Sequence, residues 1–310
     1  MGQNISTNNL YGNALVDIGK KYKKLIVMDA DISRASYTCL FKDSFQNRFI
    51  NVGIAEQNMI SIAAGLASMG YILIVNSLAK FISTRSLDQI INSVAYPNLN
   101  VNIVGIYSGL SIGKDGATHQ CLEDIAIMRA IPNMTVICPG YNDEIETLLE
   151  QCIRIDGPVY IRLCEGLGKM TCSKEKLAIG KGIKITSGND LTIVTTGVMT
   201  SIVYRALEEA ELISKVELIY LHTLKPIDKY IIIESAEKNK KVLTFEDHNL
   251  LGGLGSIVSD ILSERKDIIV KKYGINDSFG CSGTFLELIK KFSLSKEDII
   301  DIIKRELLTE

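Results

Sequence analysis

The sequence contains no apolar stretch approaching the roughly 20 residues that a bilayer-spanning helix needs. Its start, Met1 to Leu10, is polar rather than a basic segment leading into an apolar signal core. The expectation is a soluble, cytoplasmic protein with no membrane partner. No block of Lys and Arg longer than a few residues occurs, and the formal net charge is -2, so no electrostatic footprint for nucleic acid is present. The seven cysteines (Cys39, Cys121, Cys138, Cys152, Cys164, Cys172 and Cys281) include no Cys-x-x-Cys pair. Their odd number and apolar surroundings are read as buried free thiols in a reducing compartment, not as a disulfide or zinc framework. The three histidines form no helical i, i+4 pair, which leaves a histidine metal site without support and none expected. Internal repeats and low-complexity tracts are absent too.

What is present is ample core: 310 residues, 46% of them apolar and 23% charged, enough for two domains. Short β-branched runs alternate with helical periodicity along nearly the whole length, the pattern of parallel sheets covered by helices on both faces. Buried strands are expected at 24–31, 48–53, 71–75, 101–106, 135–138 and 159–163, then at 191–197, 217–221, 241–245 and 267–271. Between them, Met59, Ile62, Ala63 and Leu66 mark one amphipathic helix, and Leu87, Ile90, Ile91 and Val94 mark another. From 167 to 188 the pattern dissolves into glycine, lysine and threonine. The reading is an α/β chain of two doubly wound domains, 1–166 and 189–310, with 167–188 as the linker.

Two segments interrupt apolar elements with polar residues where open α/β sheets bind ligands. In Asn51-Val52-Gly53-Ile54-Ala55-Glu56-Gln57-Asn58 a strand gives way to a helix with Glu56 in its first turn. A carboxylate there also complements the helix dipole, so that role stays open for Glu56. The second segment, Ser108 to Gln120, has three glycines that let backbone approach a ligand, with Asp115 as an acceptor and His119 as a titratable imidazole. On these residues alone His119 could equally cap the following helix or pair with Glu123 one turn away.

Taken together, Gly53-Ile54-Ala55-Glu56-Gln57-Asn58 and Gly113-Lys114-Asp115-Gly116-Ala117-Thr118-His119-Gln120 resemble the pyrimidine-binding domain of transketolases. The resemblance continues through Leu122-Glu123-Asp124-Ile125-Ala126, Ile131-Pro132-Asn133-Met134 and Asp156-Gly157-Pro158. It reaches the C-terminal domain of that family at Phe245-Glu246-Asp247-His248-Asn249, followed by Leu250-Leu251-Gly252-Gly253-Leu254-Gly255. It implies thiamine diphosphate as cofactor, contacted by Glu56, Phe81 and Ile54, with Glu56 sharing a proton with the aminopyrimidine. It implies that His119, Asp115 and the Tyr107 position bind substrate, with His119 near the reacting carbon. Phe81 in Leu78-Ala79-Lys80-Phe81 is the match to an aromatic that packs on the pyrimidine, although Leu78 replaces the first aromatic of that stretch. His222 and His248 are read as structural.

The family's Gly-Asp-Gly motif, which holds the diphosphate through a metal ion, does not occur in this sequence. The chain therefore resembles the second subunit of a split enzyme. The implied partner is an N-terminal subunit that carries Mg or Ca and the diphosphate site, two copies of each assembling. The implied reaction transfers a two-carbon ketol unit from a ketose to an aldehyde. The alternatives are the second subunit of a 2-oxo-acid dehydrogenase component, a deoxyxylulose-phosphate-synthase-like enzyme, and a non-catalytic support subunit. Three positions depart from the family's phosphate grip: Asn8 and Glu165 stand where arginine is usual, and Tyr107 where histidine is common. A substrate without the usual terminal phosphate is expected, unless Arg34 or Lys114 has taken over that contact.

Overall fold

The computed structural model describes residues 6–169 and 177–308. Its strands are β1 (Leu25–Asp29), β2 (Phe49–Asn51), β3 (Ile72–Leu78), β4 (Val101–Ile106), β5 (Thr135–Ile137), β6 (Val159–Arg162), β7 (Ile183–Lys184), β8 (Leu191–Thr195), β9 (Val216–Tyr220), β10 (Thr223–Lys225), β11 (Lys241–Asn249) and β12 (Ile269–Ile275). They form a seven-stranded sheet, β10-β5-β6-β4-β3-β1-β2, and a five-stranded one, β12-β11-β8-β9-β7. Pairing is parallel except where β10 meets β5 and β7 meets β9.

Burial on both faces explains the apolar character of the central strands, because a parallel sheet covered by helices exposes neither side. Every residue of β4 is buried. Successive strand residues serve opposite cores: Leu73, Val75, Val101 and Ile103 pack on one side, and Ile74, Val104 and Ile106 on the other. Both cores run on into the second sheet, through Leu191, Ile193 and Leu218 on one side and Val194 and Ile219 on the other. The chain leaves β1 toward β2 at one edge and continues with β3 on the opposite flank. That reversal opens a crevice at the strands' carboxyl ends.

Several expected elements are altered by tertiary structure. Strand β3 continues past 75 through Asn76 and Ser77, since the buried Asn76 amide donates to Met28 O at 2.8 Å and accepts from the Tyr11 hydroxyl. The stripe Leu87, Ile90, Ile91 and Val94 does not stay on one face. A π-helical stretch, Ile90–Ala95, follows Leu87–Gln89, and its wider turn leaves Ile91 38% exposed. Within the range read as a linker, residues 170–176 lie outside the described ones, Cys172 among them. Ile183–Lys184 forms β7 on Ile219 and Tyr220, a pairing too short to leave a periodic signal. β10 crosses from the second half of the chain to the edge of the first sheet. Of the cysteines described, Cys121, Cys138, Cys152 and Cys164 are buried free thiols, while Cys39 and Cys281 are partly exposed.

The halves also meet at Glu144, whose buried carboxylate accepts from Tyr141 N at 3.1 Å, from Gly140 N, and from the hydroxyl of Tyr220 on β9. Its second oxygen has no hydrogen-bond partner among the described residues. Burial pushes its pKa from 4.5 up to about 7, against the pull of those donors. A carboxyl raised in the folded state binds more protons there than in the unfolded chain. Its stabilising contribution is therefore complete below about 4.5 and is lost as pH rises through about 7. Glu144→Gln keeps the shape and has no proton to lose. Across that window the variant should gain on the native protein by roughly 3 kcal/mol, read as the difference between urea midpoints at a series of pH values.

Candidate active site

Gly53 turns the chain at φ +73° after β2, a conformation that costs a residue with a side chain but not glycine. Its N–H donates to Asn51 Oδ1 at 2.9 Å, and the helix Glu56–Ser68 starts two residues after Ile54. Glu56 stands in the first turn, but dipole complementarity does not require what is seen next. The side chain is only 4% exposed, and Oε1 accepts from the Ser77 hydroxyl at 3.0 Å. Oε2 lies 3.5 Å from the Arg85 guanidinium. That guanidinium sits over the Phe81 ring, 3.8 Å from its centroid. Phe81 in turn meets the His119 ring edge-on, with centroids 5.1 Å apart.

Glu56, Phe81 and His119, distant in sequence, are thus linked in one run of contacts through Arg85 along the crevice at the carboxyl ends of β2, β3 and β4. Ile54, Ala55, Glu56, Gln57, Asn58 and Arg85 line an open part of it, a cavity of about 490 Å³, with Ile54 76% exposed at the rim. His119 does not pair with Glu123. Its Nδ1 is 2.9 Å from Thr118 Oγ1, and the following helix begins only at Asp124. Glu123 instead pairs with Lys80 and accepts from Leu122 N at 2.8 Å. Asp115 ends the short 3-10 turn Gly113–Asp115 and is exposed.

Tyr107, at φ +52°, is a strained non-glycine turn at the end of β4. Its phenol is half-buried, and burial raises its pKa, with the Asn8 side chain and the Glu165 carboxylate among its surroundings. The three departing positions, Asn8, Tyr107 and Glu165, therefore lie together. Glu165 is occupied: its two oxygens accept from Thr7 N at 3.1 Å and Asn8 N at 3.3 Å, at the start of the helix Thr7–Lys21. Burial raises its pKa, and those backbone donors oppose the shift. Arg34 and Lys114 are both exposed and make no salt bridge among the described residues.

His222 and His248 are both buried. Desolvation lowers the pKa of His222 to about 4 and also lowers that of His248. His248 lies between the halves, its Nδ1 2.7 Å from Asn249 O. Among the described residues no group of three or more His, Cys, Asp and Glu could hold a metal ion.

Sequence reasoning missed Ser77 and Arg85. The i, i+4 spacing of Phe81 and Arg85 on the helix Ala79–Arg85 could have paired them on one face. Nothing in the sequence could have brought Ser77 to Glu56, because that contact depends on how β3 lies beside the helix.

The cleft suits the pyrimidine part of a thiamine cofactor. A flat aromatic face and a buried carboxylate already hold between them a planar, N–H-bearing group, the Arg85 guanidinium. It does not suit a diphosphate. Arg85 is the single cation in this lining, and Glu56 already neutralises it.

The fold defines the class: a doubly wound α/β protein with a crevice at a sheet switch point. The family model described as transketolase, pyrimidine binding domain, matches residues 3–170, and that of the transketolase C-terminal domain matches 180–299. The chain belongs to the transketolase family, whose members depend on thiamine diphosphate. It is 42% identical to a transketolase C-terminal section of Methanocaldococcus jannaschii, over 97% of this chain and 96% of that one. It is 37% identical to a 6-deoxy-6-sulfo-D-fructose transketolase subunit of Clostridium sp., over 94% and 91%. A solved split-gene transketolase, an inactive beta4 tetramer, superposes with TM-score 0.86 at 38% identity, covering 98% of each chain. Against human transketolase, 31% identical, the chain spans 49% of the longer protein.

Ser77 and Arg85 hold the same carboxylate from opposite environments, one buried and one 47% exposed. Arg85→Met should cost less than about 1 kcal/mol, as solvent-screened pairs do. Ser77→Ala, which leaves a buried acceptor unpaired, should cost about 1–3 kcal/mol. Denaturant midpoints of the two variants check the difference.

Proposed function

We propose that this chain is the second subunit of a split transketolase-type enzyme, transferring a two-carbon ketol unit from a ketose to an aldehyde. The observation that carries the reading is the run of contacts from Glu56 through Arg85 and Phe81 to His119, beside a cavity whose one cation, Arg85, is already paired with Glu56. The partner is an N-terminal subunit bearing a Gly-Asp-Gly segment, which holds the diphosphate through Mg or Ca; two copies of each chain assemble. The split-gene relatives support this division.

When bound, thiamine diphosphate supplies the carbanion and the electron sink. Glu56 would hold a proton toward a pyrimidine nitrogen of the bound cofactor, its direction fixed by the Ser77 hydroxyl on Oε1. Phe81 and Ile54 bear on the pyrimidine as an apolar platform and rim. The His119 imidazole, steadied by Thr118 and by the Phe81 ring, hydrogen-bonds the donor oxygen beside the reacting carbon. Asp115 accepts from an adjacent sugar hydroxyl and so orients the donor.

At the far end of the substrate stand Asn8, Tyr107 and Glu165, none of them a cation. A carboxylate about 5 Å from an anion, at an effective dielectric near 20, repels it by roughly 3 kcal/mol per unit charge. At least one substrate therefore lacks the usual terminal phosphate or carries another group there. A relative is named for a sulfo-sugar, whose singly charged group would be repelled about half as strongly as a phosphate dianion.

Reconstitution with the partner decides between reactions. Ketose plus aldose should turn over and pyruvate should not, and unphosphorylated or sulfonated ketoses should match or exceed ordinary sugar phosphates in kcat/KM. A preference for sugar phosphates that is lost in Arg34→Ala or Lys114→Ala would show a rebuilt phosphate site instead. The isolated chain should show no calorimetric binding of thiamine diphosphate. Glu56→Gln should fold normally while slowing exchange of the thiazolium proton by at least about 100-fold, the usual weight of a positioned acid or base. Wild-type exchange in that variant would remove Glu56 from the mechanism.

A further inference from the structure

The loop 107–121 carries Asp115 and His119, yet much of its shape is imposed by the other half of the chain. At its neck, Gly109 and Cys121 exchange backbone hydrogen bonds of 3.0 and 3.2 Å. Beneath the neck lies Arg162, which closes β6 and is fully buried. Its Nε is 3.1 Å from both carboxylate oxygens of Asp124, the residue that opens the helix after the loop. Its Nη1 donates to Asp247 Oδ1 at 2.8 Å, and its Nη2 to Asp247 O at 3.1 Å, both on β11. The remaining oxygen, Asp247 Oδ2, accepts no hydrogen bond among the described residues. It presses on the neck itself: a Cβ on Gly109 would come within 1.9 Å of it.

Farther along, the same half of the chain touches the loop at three more places. Asn249 N donates to Leu122 O at 2.8 Å, just past the neck. Gln120 Nε2 donates to Cys281 O at 2.8 Å. At the tip, Ser282 Oγ donates to Lys114 O at 2.6 Å, one residue before Asp115. There Gly113, at φ +66°, backs onto Gly283 O, 3.1 Å from where its Cβ would be.

One guanidinium between two buried carboxylates is not the arrangement that stability alone would select, because apolar packing of equal volume often does as well. What it does provide is direction, since a planar fork fixes both partners in one geometry. We propose that Asp247, acting through Arg162 and the Gly109 neck, and Ser282, acting at the tip, are positioning residues for substrate. The half of the chain after the linker serves as the mould that holds Asp115 and His119 in place. This rests on the reading of Asp115 and His119 as substrate contacts.

The test uses Asp247→Asn, which keeps volume, and Ser282→Ala, which alters an exposed side chain, each made in the full chain. Amide hydrogen exchange of residues 109–121, measured before any partner is added, should be about fivefold faster in either variant, with exchange in β3 and β4 unchanged. In the reconstituted complex the donor KM should rise about fivefold or more while kcat stays within about twofold, the split expected when positioning of bound substrate is lost but the reacting groups remain. Ser282→Thr, which keeps the hydroxyl, should restore both values. Unchanged exchange in both variants overturns the proposal, whatever reaction the complex performs. Faster exchange with an unchanged donor KM overturns the link to substrate and the assignment of Asp115 and His119, but not the mould. If Asp247→Asn does not fold, Ser282→Ala decides alone.

Discussion

Arg162 carries a full positive charge out of contact with water, and the two halves of the chain are built around it. A buried guanidinium is tolerable only when carboxylates and further acceptors replace its hydration. Here Asp124, Asp247 and the Asp247 carbonyl do so from two separate elements, the helix Asp124–Ala130 and β11. Attraction to those carboxylates raises the Arg162 pKa well above its ordinary value although burial pulls the other way, so the charge is permanent at any pH the fold survives. Removing one partner would leave a buried charge uncompensated, which ties β6, the helix Asp124–Ala130 and β11 into one unit. Neighbouring Glu246 adds to it by accepting from Leu254 N at 2.7 Å and Gly255 N at 2.9 Å, at the start of the helix Leu254–Leu262.

With the halves locked, the cleft at the switch point becomes a surface of fixed shape on one side only. Its chemistry is complete for a planar heterocycle, with a buried carboxylate, a hydroxyl that orients it and an aromatic face. For the anionic remainder of the cofactor it is incomplete, since the one cation in its lining is neutralised. That asymmetry is what the proposed division of the site between two subunits would require. Glu165 shows the same economy of charge, because a carboxylate that caps the helix Thr7–Lys21 cannot also welcome a phosphate.

Much of this was legible in the sequence wherever a local rule applied. Alternating apolar runs located most of the parallel strands because both faces of such sheets are buried. The Gly53 to Asn58 turn placed Glu56 in the first turn of a helix, and the glycine-rich segment placed Asp115 and His119 on a loop beyond β4. These features depend on residues adjacent in the chain, whose spacing is itself the signal.

What only the tertiary structure decided involves residues far apart, for which spacing carries no information. Ser77 reaches Glu56 because β3 runs two polar residues past its apolar stretch, and that extension depends on Tyr11 and Met28 satisfying Asn76. Arg85 joins Phe81 to Glu56, β10 pairs with a sheet from the other half, and the Ile90–Ala95 turn widens to π geometry and sets aside a regular stripe. The triad of Arg162, Asp124 and Asp247 spans 38 residues in one direction and 85 in the other. The sequence determined that a carboxylate and a loop bearing an imidazole would follow buried strands, while the aromatic ring came only from the family resemblance. Their contacts through Arg85 followed from how the segments beyond β2, β3 and β4 pack side by side, which no spacing along the chain encodes.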